Sequence, residues 1–250
     1  MIDSLFFLGY PKPFLNICNI YPPKVYEICK CEYYPLYSKW LLITKEEIED
    51  EYSESKRDPG LAPDPFDYIF DLASQEDENG NRPYEDYLIK AFEFFIHEPV
   101  SFLYDLKVIL IGDIAQELKS AKEMSDLRFL FKGVYFDFQN ELRASLGKEP
   151  VEPPDPDEDP RVKRIKAKAR YRDRIKAKQG GGISLTTSLV SICCMGIGIT
   201  PLNIGEISIC AVEAITSVYQ NKEKYDIDIK SLLAGADSKK VKPQYWIRNF

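Results

Sequence analysis

Between Lys148 and Gly182 the chain changes chemistry three times, and no single regular element can run through all of it. The stretch opens acidic and proline-rich, Pro150-Val-Glu-Pro-Pro-Asp-Pro-Asp-Glu-Asp-Pro160, where proline removes backbone donors and favours an extended path. It then becomes a run from Arg161 to Lys178 with ten basic residues and only Asp173 opposing them, built mainly from helix formers. It closes in Gly180-Gly-Gly182, which lets the chain leave in any direction. Three compositions in one connection predict a domain boundary. The expected organisation is mainly helical α+β: a mixed domain with a few short strands at residues 1–147, a charged linker at residues 148–182 carrying a helical rod, and a small all-helical domain at residues 183–250.

Both flanking parts are rich enough in apolar residues to fold, since 44% of the 250 residues are hydrophobic and 13% aromatic. The formal net charge of −7 argues against a dedicated nucleic-acid binder, which needs a dominant basic face. The rod shows only a thin apolar line, Val162, Ile165 and Ala169, so it is expected to be solvent-bridging and held by charge pairing, with the preceding acidic run as its nearest partner. Phosphate binding by the rod is the sharper alternative.

Along the first part, Phe14 to Tyr21 alternates as a strand does, and Pro22-Pro23 ends it. A short helix follows from Lys24 to Cys31. Thr44-Lys-Glu-Glu47 is a capping box for a helix carrying Ile48 and Tyr52, and the acids from Glu46 to Glu54 read as its solvated face. Asp64-Pro65 opens a short amphipathic helix with Phe66, Ile69, Phe70 and Ala73 on one side. Pro83 begins a stronger one through Tyr87, Leu88, Ala91, Phe92, Phe95 and Ile96, and His97 at its end reads as a cap or packing residue. Val100 to Ile111 predicts one or two strands, Asp113 a cap for a helix through Leu118, and Phe136, Gln139, Leu142 and Leu146 a helix stopped by Gly147.

Catalytic chemistry is not spelled out anywhere. Cys18, Cys29, Cys31, Cys193, Cys194 and Cys210 lack the usual zinc spacings and read as reduced thiols of a cytosolic protein; one histidine, His97, cannot complete a ligand set. Gly196-x-Gly198 lacks a third glycine and Gly180–Gly182 lacks the following Lys-Ser/Thr, so neither is a nucleotide fingerprint. No catalytic, cofactor-binding or metal residue is therefore assigned. The start of the chain lacks the basic flank of a secretory signal, and its apolar runs are shorter than a membrane span.

Beyond the glycines, Ile183 to Met195 and Ile209 to Tyr225 read as two helices around the turn Gly196-Ile-Gly-Ile-Thr-Pro201. Ile209, Val212, Ile215 and Tyr219 share a helical face, and too few other apolar residues follow Gly182 to cover it. That face is expected to stay exposed in the monomer and to bind a partner helix or a second copy.

The residues Lys178-Gln-Gly-Gly-Gly182, Leu185-Thr-Thr-Ser-Leu189, Ile192-Cys-Cys-Met-Gly-Ile-Gly-Ile-Thr-Pro-Leu-Asn-Ile-Gly-Glu206, Lys224 to Ala236 and Tyr245-Trp-Ile-Arg248 together resemble the C-terminal region of phage tail assembly chaperone-like proteins. The unit of helix, Gly-Ile-x-Pro turn and second helix is matched from about Leu189 to Tyr219, while residues 1–147 are similar in outline only. What the resemblance implies is a non-enzymatic protein of the host cytoplasm, absent from the mature virion, that coats the tape-measure protein during tail assembly and hands it to the tail tube protein. A tail or baseplate structural protein and a nucleic-acid binder using the rod are the alternatives.

Overall fold

The computed structural model describes residues 3–113, 127–153, 158–178, 185–237 and 239–245. The expected helix from Asp113 to Leu118, the prolines at 154 and 156 and the hinge glycines 180–182 lie outside the described residues. What is described is a mainly helical α+β protein with two small antiparallel sheets.

The expected single strand at Phe14 to Tyr21 is instead a hairpin, β1 (Lys12–Phe14) paired with β2 (Cys18–Ile20). The alternation is real, but Leu15 and Asn16 both adopt positive φ, 46° and 58°, and turn the chain inside it. Asn tolerates that conformation; Leu15 does so on the surface, where its side chain clears the backbone. Helix α1 (Ser4–Phe7) precedes the hairpin, and α2 (Val25–Lys30) follows it close to the expected bounds.

Next come α3 (Tyr34–Leu42) and α4 (Lys45–Glu54). The capping box of α4 forms as read: Glu47 N–H donates to Thr44 Oγ1 at 3.3 Å and Thr44 N–H donates to Glu47 Oε2 at 2.9 Å. Helix α5 (Pro65–Ala73) starts at its proline with Asp64 as the N-cap residue, but the Asp64 side chain makes no capping bond and pairs with Lys132 instead. Helix α6 (Pro83–Ile96) ends at His97, which takes the left-handed conformation (φ 60°) and stacks its ring on Tyr21, centroids 4.1 Å apart.

Strands β3 (Val100–Leu103), β4 (Val108–Ile111) and β5 (Phe129–Leu130) form the second sheet, with β4 central. Ile109, Leu110 and Ile111 are buried, as a central strand covered on both faces requires. Helix α7 (Lys132–Ser145) then crosses the body. Its inner face is Tyr135, Phe138, Gln139, Leu142 and Ser145; Phe136, expected on that stripe, is half-buried at the side.

Phe138 links the two halves of the core, meeting Phe14 at 5.6 Å and Phe92 at 6.0 Å between ring centroids. Beside it, buried Gln139 donates to Leu41 O (2.8 Å) and Ile43 O (3.1 Å), satisfying carbonyls left open at the end of α3. Gln139→Leu keeps the volume and removes both bonds. It is expected to cost about 1–3 kcal/mol in thermal or urea unfolding, and an unchanged midpoint would show that the α3 terminus finds other donors.

The C-terminal part comprises α8 (Pro160–Lys178), α9 (Leu185–Cys194) and α10 (Ile209–Leu233). It does not stand apart as expected. Ile192, Ile204, Ile209, Cys210 and Val212 belong to the same buried cluster as Phe6, Val25, Ile28 and Leu142. Main-chain bonds tie the parts as well: Val25 N–H donates to Ile207 O (3.0 Å) and Ile209 N–H to Pro23 O (2.9 Å). Ser208, the N-cap of α10, also donates from Oγ to Phe6 O at 2.9 Å. The shortage of apolar residues after Gly182 is resolved by docking on residues 1–147.

Candidate functional site

The four residues expected to form an exposed face divide in two. Ile209 and Val212 are buried in the common core, so they cannot contact a partner; Ile215 and Tyr219 are half-buried farther along α10. The expected exposure fails at Ile209 and Val212, which residues 1–147 help to cover.

Exposed apolar residues of the C-terminal part lie in α9 and the turn, where Val190 is 57% exposed, Ile197 50% and Leu202 96%, and farther along α10 at Ile227 and Leu233. The turn that carries Ile197 and Leu202 is fixed by its own polar groups. Gly196 and Gly198 adopt φ of 70° and 82°, which a side chain would strain. Asn203 Oδ1 accepts from Thr200 N–H at 2.7 Å, and Asn203 Nδ2 donates to Gly198 O at 3.0 Å. Leu202 thus stands in water on a braced loop, where it gains nothing from the fold. The Gly-rich spacing announced the turn, but not that its leucine would be left outside.

A second concavity of about 260 Å³ opens between the N-termini of α4 and α5, the side of α7 and the extended segment after it. Leu42, Pro65, Phe66, Tyr135, Phe136 and Val151 supply an apolar lining. The extended segment is clipped to α7: Asn140 Nδ2 donates to Val151 O (3.2 Å), Val151 N–H donates to Asn140 Oδ1 (2.8 Å), and Arg143 Nε donates to Glu149 O (2.8 Å). Sequence reading missed this site; polar Gln139, Asn140 and Arg143 in succession along an otherwise core-facing helix were its signal.

The cations around this cavity have structural partners. Lys132 pairs with Asp64 and Asp67, and Lys45 donates to Ala62 O. Burial pushes the Tyr135 phenol far above its ordinary range, so it is no acid or base near neutrality. The arrangement can receive an apolar group, and no nucleophile and base are held together in it.

Among the described residues, the basic helix α8 is held by charge at Lys166 and Arg170. Lys166 pairs with Glu158 in the preceding acidic run, while Arg170 reaches α4 and forks onto Asp50, Nε to Oδ2 at 3.0 Å and Nη2 to Oδ1 at 3.4 Å. The acids of α4 are therefore not only a solvated face: Glu51 also accepts from Tyr68 Oη at 3.1 Å and pairs with Lys39 at 2.9 Å. Arg161, Lys168 and Arg172 remain exposed.

No family model, curated protein or solved structure matches this chain. Its function is thus a matter of the chemistry its own surface offers. The six cysteines are unpaired, and burial raises the thiols of Cys18 to about 12 and Cys210 to about 11, which keeps them protonated and inert. Among the described residues no group of His, Cys, Asp and Glu is arranged to hold a metal ion, and no helix is long and apolar enough to cross a membrane.

Proposed function

We propose that this protein is a non-catalytic assembly factor that binds an amphipathic helical client, of the kind represented by phage tail assembly chaperone-like proteins. The client the resemblance implies is the tape-measure protein, with transfer to the tail tube protein in the host cytoplasm. The observation that carries the reading is the braced turn between α9 and α10, which holds Leu202 almost wholly in solvent with the half-exposed Ile197 beside it. Apolar side chains on a pre-ordered loop lose little entropy when a helix covers them, which favours transient capture of an apolar helical stripe.

The contact surface moves accordingly from Ile209 and Val212 to Val190, Ile197 and Leu202. Co-expression with the tape-measure protein of the same genome tests it. Leu202→Asp combined with Ile197→Asp is expected to lower co-purification roughly tenfold, as loss of an interface anchor does, while the melting curve stays in place because both side chains are exposed. Undiminished capture by the double variant would remove the turn as the client site.

A further inference from the structure

We propose that the cavity between the N-termini of α4 and α5, the side of α7 and the extended segment after it is a binding site for a small, uncharged aromatic molecule that carries a ring N–H or O–H, of the indole or phenol class. Its size fits such a ligand. At about 260 Å³ it lies just under the roughly 300–1,000 Å³ of pockets that hold drug-sized molecules, which leaves room for one or two fused rings. Its walls suit a flat apolar group: Phe66 and Tyr135 meet at 5.3 Å between ring centroids, and Phe136 lines the side. The extended segment closes one wall, held to Asn140 through both polar groups of the Val151 main chain.

Gln139 decides the chemistry of the ligand. It is 6% exposed, and its Nε2 donates to both Leu41 O and Ile43 O, which settles which end of the amide is which. Among the described residues no donor reaches its Oε1, and that oxygen is not one of the sealed polar atoms, so it meets the cavity that the residue lines. A buried acceptor left open is costly, and the apolar walls around it offer a water few further partners. A donor carried on a ring satisfies the oxygen and the walls together. The rim selects against a charged ligand. Lys45, Lys132 and Arg143 stand against Glu46, Asp64 and Glu152, and Lys132 already pairs with Asp64. An acid or an amine would lose its hydration and meet as many like charges as opposite ones, whereas a neutral donor escapes that cost.

Proton NMR titration of the full chain with indole tests the site without any client, and so separates its failure from that of the assembly-factor reading. Indole is expected to saturate the protein with a dissociation constant on the order of 0.1–1 mM, as an efficient ligand of about nine heavy atoms does, and to shift the Gln139 side-chain amide resonances. Benzofuran has the same shape with an oxygen in place of the N–H. It should bind roughly tenfold more weakly, because it sets acceptor against acceptor. Val151→Phe keeps both main-chain bonds to Asn140 and fills the cavity, so indole binding should fall by roughly tenfold or more; the benzofuran comparison needs no variant. Absence of saturable indole binding, which would leave Oε1 to water, equal affinities for indole and benzofuran, or undiminished binding by a folded Val151→Phe would each overturn the proposal. So would N-acetyltryptophanamide binding roughly tenfold more tightly than indole, which would give the cavity to a polypeptide side chain.

Discussion

Val212→Asp is expected to destabilise the whole protein and not only its C-terminal helices, by roughly 3–5 kcal/mol, the range reached when an unpaired charge is placed in a packed core. Val212 is 1% exposed and lies in one cluster with Phe6, Val25 and Leu142. A carboxylate there finds no cation among its apolar neighbours, and a domain of ordinary stability, about 5–15 kcal/mol, loses much of its margin. The reporter should sit far from the substitution in sequence. Trp40 serves, buried on α3 within residues 1–147, provided Trp246 is replaced by Phe so that its fluorescence is the only tryptophan signal. The expected result is a single urea transition of Trp40 emission that moves to lower denaturant in Val212→Asp. Were the Trp40 transition to stay in place, residues 183–250 would be an independent domain after all, and Val212 would again be a candidate for the partner surface.

That expectation reverses the boundary drawn from the linker, and the reason is physical. A proline-rich segment and a glycine run do show that the chain cannot continue one element through residues 148–182. They carry no information about whether the elements on either side touch. The contact is made by Pro23 and Val25 with Ile207 and Ile209, two strips of main chain that pair across most of the sequence and have no local signature. Local chemistry, by contrast, was legible. The Thr44–Glu47 box, the proline starts of α5 and α6, the helix ending at Gly147 and the β-rich run of Val100 to Ile111 depend on neighbours within a few residues, and each appears in the structure near its expected place. The hairpin at Leu15 and Asn16 was missed because a leucine at positive φ is chosen by the packing of Phe14 and Ile20 on either side, not by its own preference. The partner face shows the same limit: helical period relates Ile209, Val212, Ile215 and Tyr219, but only tertiary contact decides which of them meet water, and it buries Ile209 and Val212.

Gly147→Ala is expected to cost roughly 2–4 kcal/mol, the sum of a left-handed backbone forced on an L residue and an overpacked contact. Gly147 follows α7 at φ 68°, and a Cβ built there would lie 2.9 Å from Glu213 Cβ and 3.3 Å from both Cys210 Cα and Cys210 O. Glu213 is on the surface and can move its side chain's end, but its Cβ and the Cys210 main chain are fixed by α10, so the helix itself would have to lift. Gly235 provides the control within the same protein, because it adopts φ 96° with nothing within 4 Å of a built Cβ. Gly235→Ala should therefore show the conformational cost alone, roughly 1–2 kcal/mol at most, and less if the end of α10 frays. The difference between the two variants in urea unfolding isolates the close approach of α7 to α10, the contact that turns the C-terminal helices into part of the body. Equal losses would mean that the approach at Gly147 is loose. The tie between the two parts would then rest on Ser208 and the Pro23–Ile209 main-chain bonds, and Ser208→Ala, which removes the bond to Phe6 O and the N-cap of α10 together, becomes the substitution that must carry the effect.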